Sequence, residues 1–311
     1  MEVVWLLVSL VILYFGAEWL VSGASSFAAR LGVSPLIIGL TIVSLGTSAP
    51  ELVVSIKAAM NGQSALSIGN VLGSNLFNIG MILGLSALIY PLLVKRQLLK
   101  FDAPVMVVTS LLFLLLFIDG QLSFVEALLF VLLFLAYMAY LFITSMKARS
   151  QVREEEETIR LCKHWTIDLL LIAVGLAGLV YGSNLLVENA VIIAARLGMS
   201  EALIGLTIVA VGTSMPELAT SVVAALKKRS DIAIGNVVGS NIFNLLLILG
   251  VAGLIHPIDT PDINLADSLF VVGISLLLWF FMKIGTRIRR WQGVIFLVIY
   301  LIYFFIKFSA L

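Results

Sequence analysis

Cysteine and histidine are almost missing. The 311 residues hold one cysteine, Cys162, and two histidines, His164 and His256. One cysteine excludes a disulfide framework and a thiolate metal site, and two histidines far apart argue against a His-rich catalytic metal centre. Charge is scarce too. Acids and bases make up 12% of the chain, against about 25% in an ordinary soluble domain. Eighteen acids and 19 bases are too few to coat a soluble protein of this size. Hydrophobic residues are 61% of the chain, and mean hydropathy is +1.14. An ordinary soluble enzyme and a disordered chain are thereby excluded, and nucleic acid is not an expected partner. No basic run precedes the first apolar stretch, Val3 to about Ala29. That stretch is too long for a signal-peptide core and reads as a retained span.

What is present is long apolar runs. A bilayer core of about 30 Å needs about 20 apolar residues per helix. That length places ten spans at 3–29, 35–60, 65–90, 103–118, 122–146, 166–195, 201–226, 231–255, 264–284 and 290–309. No extended alternating pattern indicates a barrel, so the expected fold is an all-α polytopic membrane protein. The one soluble-looking stretch, 147–165, carries Glu154 to Glu157 and five bases, and divides 1–146 from 166–311. With ten spans, all but three of the 19 bases fall on one side; Lys57, Arg196 and Lys307 fall on the other. Basic loops stay cytoplasmic, which predicts a cytoplasmic central linker and two outward termini.

The two halves repeat. Residues 38–91 align without a gap to residues 204–257, and about 30 of the aligned positions are identical. The match extends weakly back to Gly16 and Gly182. Five spans per half turn the second copy upside down. The loops agree: Asn61-Gly62-Gln63 aligns with Lys227-Lys228-Arg229, and only the second is basic. Inverted repeats of this kind are characteristic of secondary transporters that alternate access around a midplane site.

Inside the spans the polar groups form faces. Ser44, Thr47, Ser48 and Glu51 lie at i, i+3, i+4 and i+7 of one helix, and Ala210, Thr213, Ser214 and Glu217 repeat the pattern. Asn70, Ser74 and Asn78 form a second face, repeated by Asn236, Ser240 and Asn244. Asn75 and Asn241 also repeat but point elsewhere. Pro50 and Pro216 lack the N–H that would close a helical turn, which frees the carbonyls of Gly46 and Gly212. Carboxylate, hydroxyl, amide and carbonyl oxygens are the ligands of hard cations. A carboxylate in the membrane costs several kcal/mol unless it is paired or solvated. No Lys or Arg lies in the core of these four helices, so Glu51 and Glu217 require an ion or a proton.

At GTSAPE (46–51) and GTSMPE (212–217), with GNVLGSNLFN (69–78) and GNVVGSNIFN (235–244), the sequence resembles the prokaryotic branch of the sodium/calcium exchanger family. The resemblance covers nearly the whole chain. It implies two inverted five-helix repeats whose second and third helices form a central diamond, with a Ca²⁺ site and Na⁺ sites occupied alternately. It implies that Glu51 and Glu217 are shared carboxylates. Thr47, Thr213, Ser48 and Ser214 would supply hydroxyl or carbonyl oxygens, Ser44 and Ala210 carbonyls, and Ser74, Asn78 and Ser240 the rest of the shell. The long first and sixth helices would slide against this core. One position departs from the family pattern. Well-described exchangers often carry Asp where this chain has Asn244. Two glutamates then balance one Ca²⁺ and leave a positive surplus with three Na⁺, so the coupling ion stays open between Na⁺ and H⁺.

The resulting expectation is an antiporter in the cell membrane of a prokaryote, acting as a monomer, with no cofactor beyond its transported ions. A Ca²⁺/H⁺ exchanger is the alternative, and a cation channel or an intramembrane hydrolase is more remote. Ser48 has no GxSxG context and no His base for hydrolysis. Glu18 and Glu188 are not expected to be ligands. Arg30 and Arg196 read as snorkelling anchors, the tryptophans as interfacial, the 154–157 acids as solvated linker, and Cys162 as a free thiol.

Overall fold

The computed structural model describes residues 1–148, 164–198, 210–260 and 265–309. The acidic linker run, Cys162 and the start of the seventh expected span (201–209) lie outside the described residues. The chain forms α1 (Glu2–Leu31), α2 (Pro35–Thr47), α3 (Ala49–Met60), α4 (Ser64–Ile89), α5 (Leu98–Leu116), α6 (Phe124–Ala148) and α7 (Trp165–Arg196). It continues with α8 (Ala210–Thr213), α9 (Met215–Leu226), α10 (Ser230–Ile255), α11 (Leu265–Ile284) and α12 (Arg290–Ser309). Among the described residues, eight helices are long and apolar enough to cross a membrane, or nine if α2 and α3 count as one bent span. The protein is a multi-pass helical membrane protein.

The structure breaks the expected 35–60 helix. α2 and α3 meet at 47°, with Ser48 leaving helical geometry at φ −81°, ψ 7°. The cause is Pro50 at the second position of α3, which cannot donate back across the break. Ser214 does the same at φ −90°, ψ 9° before α9, where Pro216 holds the equivalent position. The turn into α2 is set locally. Gly32 adopts the left-handed conformation (φ 65°) that closes α1, and the Ser34 hydroxyl caps α2 by accepting the Leu36 N–H. Several helices also carry a wide π-type turn: Gly39–Val43, Asn78–Leu83, Leu98–Asp102 and Asn244–Ile248.

α4 and α10 are the most enclosed long helices, with 72% and 78% of their spans buried. α2, α3, α8 and α9 surround them. α1 and α7 pack along each other outside this core, antiparallel, with backbones in near contact at Gly16 and Gly175. A Cβ on Gly175 would sit 2.6 Å from the Leu20 nitrogen, so only glycine allows this approach. Two short antiparallel strand pairs tie the halves together: Leu92–Leu93 with Arg287–Ile288, and Gln121–Leu122 with Ile258–Asp259. In the repeat alignment Leu92 matches Ile258 and Gln121 matches Arg287, so each pair is the counterpart of the other.

Candidate functional site

The four polar faces converge between α2–α3, α4, α8–α9 and α10, and each half completes the other. The Ser48 hydroxyl lies 2.7 Å from Glu217 Oε1 and 3.0 Å from Ser240 Oγ. The Ser214 hydroxyl lies 2.8 Å from Glu51 Oε1 and 3.0 Å from Ser74 Oγ. The serine at each helix break therefore reaches the carboxylate of the opposite half. Glu51 and Glu217 are each 1% exposed. Each is the third residue of a helix that starts at the break, where the positive end of the helix dipole favours a carboxylate.

A second tier fixes the backbone. Asn70 Nδ2 donates to the Glu51 carbonyl at 3.2 Å and to Ser55 Oγ at 3.0 Å. Asn236 does the same for Glu217 and Ser221, at 3.4 and 3.0 Å. The amide oxygens of these asparagines accept from the threonines across the repeat: Thr47 Oγ1 to Asn236 at 3.1 Å, and Thr213 Oγ1 to Asn70 at 3.4 Å. Asn70 and Asn236 belong to the repeated faces read from sequence, but their work here is to hold the glutamate-bearing backbones. The carbonyl of Gly212, freed by Pro216, accepts a hydrogen bond from Ser183 on α7.

The carbonyl of Ser44, a candidate ligand by sequence, is engaged inside its own helix. It accepts the Ser48 N–H at 3.0 Å, and the Thr47 hydroxyl, whose shorter contact is to Asn236, lies 3.3 Å away. Its counterpart Ala210 opens α8, where the Ser214 N–H bonds instead to Val211 at 3.1 Å. Asn78 and Asn244 each begin a wide π-type turn one helical turn beyond Ser74 and Ser240. Turns of this type recur at functional sites because they displace the helix face by a residue.

Four buried oxygens in this cluster receive no hydrogen bond: Glu51 Oε2, Glu217 Oε2, Asn78 Oδ1 and Asn244 Oδ1. They form two repeat-matched pairs. Among the described residues no basic side chain pairs with either glutamate. Buried acceptors without a donor are costly, and a hard cation coordinated by such oxygens removes the cost. Glu18, not read as a ligand, instead pairs with Lys227 at 3.1 Å.

A family model described as sodium/calcium exchanger protein matches residues 1–143 and 167–309. The chain is 40% identical over 315 aligned residues to the putative antiporter CaxA of Alkalimonas amylolytica, covering 99% of this chain and 98% of that protein. It is 36% identical to the sodium/calcium exchanger MaX1 of Methanosarcina acetivorans, covering 97% of each. Its fold is similar to the solved structure of the sodium-calcium exchanger NCX_Mj soaked with Na⁺ and Sr²⁺. The TM-score is 0.86 at 34% identity, over 97% of this chain and 96% of that one.

Proposed function

Because the chain belongs to the sodium/calcium exchanger family, we propose that it is a secondary antiporter that exchanges Na⁺ for Ca²⁺ at the Glu51–Glu217 site. The observation that carries this reading is the set of four buried, donor-less oxygens, two of them carboxylate. Two carboxylates neutralise one Ca²⁺, and the Asn78 and Asn244 oxygens add neutral ligands without further charge. Ser48, Ser74, Ser214 and Ser240 complete the oxygen shell, with Thr47, Thr213, Ser44 and Ala210 on the flanking backbone. MaX1 and NCX_Mj carry the same two ions in their names, which supports the assignment.

The mechanism follows from charge. Ca²⁺ neutralises both glutamates, and Na⁺ in flanking oxygen sites does so as well. Either loaded form crosses between sides. The bare, doubly negative form does not, because moving uncompensated carboxylates past an apolar barrier is costly. That restriction couples the two fluxes. On this reading the fold is two inverted five-helix repeats with ten spans. The unit is a monomer in the cell membrane, with the 147–165 linker cytoplasmic and both termini outside, as the distribution of bases favours.

Glu51→Gln or Glu217→Gln abolishes ⁴⁵Ca²⁺ uptake into proteoliposomes driven by an outward Na⁺ gradient. Wild-type rates in both variants overturn the assignment. A Ca²⁺/H⁺ exchanger is a second reading, favoured by the absence, among the described residues, of a basic partner for either glutamate, since a proton also satisfies a lone carboxylate. Collapsing the Na⁺ gradient at fixed pH separates the two: uptake that persists and follows the pH gradient selects H⁺.

A further inference from the structure

Asn75 is fully buried, lies off the Ser74–Asn78 face, and is not among the oxygens that the site presents. Its two side-chain ends are nonetheless both committed. Nδ2 donates to the backbone carbonyl of Asn241 at 3.3 Å, which turns Oδ1 toward residue 244. There Asn244 Nδ2 donates to Asn75 Oδ1 at 2.9 Å. With its amino group held by Asn75, the Asn244 amide presents its other end, Oδ1, which receives no hydrogen bond.

We propose that Asn75 is a positioning residue that holds Asn244 as a neutral amide ligand with its carbonyl oxygen directed at the ion. This rests on the exchange site proposed above. The chemistry is selective. Asn75 offers residue 244 an acceptor, because its donor is already used. An amide at 244 satisfies that acceptor, whereas a carboxylate would set oxygen against oxygen. The pairing keeps the fixed charge of the site on Glu51 and Glu217 alone.

The arrangement is confined to one half. The repeat counterpart of Asn75 is Asn241. Its Nδ2 turns back to the Val237 carbonyl at 2.7 Å, and its Oδ1 accepts nothing. Asn78 is thus not held by Asn241 as Asn244 is held by Asn75. The two buried asparagines provide a matched experiment.

Ca²⁺ uptake is measured in proteoliposomes as a function of Ca²⁺ concentration, for the wild-type protein and for Asn75→Leu, Asn75→Ser and Asn241→Leu. Loss of a partner that orients a metal ligand costs about tenfold in affinity. Asn75→Leu should raise the half-saturating Ca²⁺ concentration about tenfold, with the maximal rate within about twofold of wild type. Asn75→Ser, whose hydroxyl is too short to reach Asn244, should show the same split and serves if the leucine variant does not fold. Asn241→Leu should leave half-saturation unchanged. In an Asn244→Ala background, Asn75→Ser should add nothing further. Half-saturation at the wild-type value in Asn75→Ser, or an equal rise in Asn241→Leu, overturns the proposal. Glu51→Gln and Glu217→Gln run alongside separate the two levels: if both transport normally the exchange site itself is wrong. If they are inactive while Asn75→Ser keeps the wild-type half-saturation, only the role of Asn75 is wrong.

Discussion

α1 and α7 hold equivalent places in the two halves, yet they meet the core differently. α1 packs against α9, and Lys227 at the end of α9 reaches back to Glu18 Oε1 at 3.1 Å and Ser22 Oγ at 2.9 Å. α7 instead faces α3 across a cavity of about 370 Å³ whose walls include Pro50, Val54, Lys57, Asn184, Glu188 and Thr213. In the repeat alignment Asn184 matches Glu18 and Glu188 matches Ser22. The closed flank and the open flank thus carry a base on the short helix and an acid on the long one, shifted by one turn. Near the glutamates the two halves are close to interchangeable; on the flanks they are not. For the proposed mechanism this inequality is essential, because a carrier open on both flanks would leak.

The sharpest way to break the comparison is chemical access. Val54, in the wall of the cavity, aligns with Thr220, which is fully buried. In a Cys162→Ser background, a membrane-impermeant maleimide should modify Val54→Cys and leave Thr220→Cys untouched. Equal labelling of the two would show that the flanks are equivalent in the membrane. The result also reports sidedness, since the reagent reaches Val54→Cys only from the face to which the cavity opens.

The next effect tests how α1 and α7 stay together. Arg30 Nε bonds to Asp168 Oδ2 at 2.8 Å, and Arg196 bonds to Glu2 Oε1 at 2.8 Å. Arg30 aligns with Arg196 and Glu2 with Asp168, so the pair is clasped at both ends by the same ion pair used twice. The two clasps differ in burial: Asp168 is fully buried, whereas Arg196 and Glu2 are 65% and 24% exposed. Arg30→Met removes the cation bonded to a buried carboxylate and should cost roughly 3 kcal/mol of stability. Arg196→Met should cost clearly less, because solvent screens the exposed pair. Thermal unfolding in detergent, read as the difference between the two variants, checks this; equal shifts would contradict the burial argument.

These clasps also mark where sequence reading stops. Glu51, Glu217, the serine pairs and the carbonyl freed at Gly212 were legible because polar groups are rare in a membrane helix and these recur on one face. Arg30 and Arg196 read as snorkelling anchors, and the structure shows ion pairs instead. The signal existed: Glu2 and Asp168 hold equivalent positions, but the repeat had faded between there and Gly16. The 35–60 span reads as one helix from its apolar length, although Pro50 within it is what bends the chain at Ser48. The π-type turns that start at Asn78 and Asn244 have no compositional signature, since one extra residue in a turn leaves the apolar pattern nearly unchanged. By helical spacing Asn75 points away from the polar face. In the structure it does, but toward Asn244, and spacing alone carries no sign that a side chain off the face serves one on it.

The smallest effect concerns the closed flank itself. Lys227 and Glu18 are each about one-third exposed, at 31% and 34%, so their ion pair contributes at most about 1 kcal/mol. Lys227→Met should therefore loosen the contact between α1 and α9 without unfolding the protein, and the hydrogen bond to Ser22 goes with it. Measured as maleimide labelling of Thr220→Cys, the rate should rise by at most about fivefold, while labelling of Val54→Cys falls as the open flank loses population. Lys57→Met, on a flank already open, should move neither rate. If Lys227→Met raises both rates together, the two flanks open independently, and the inequality seen here would describe packing and not the coupling that exchange requires.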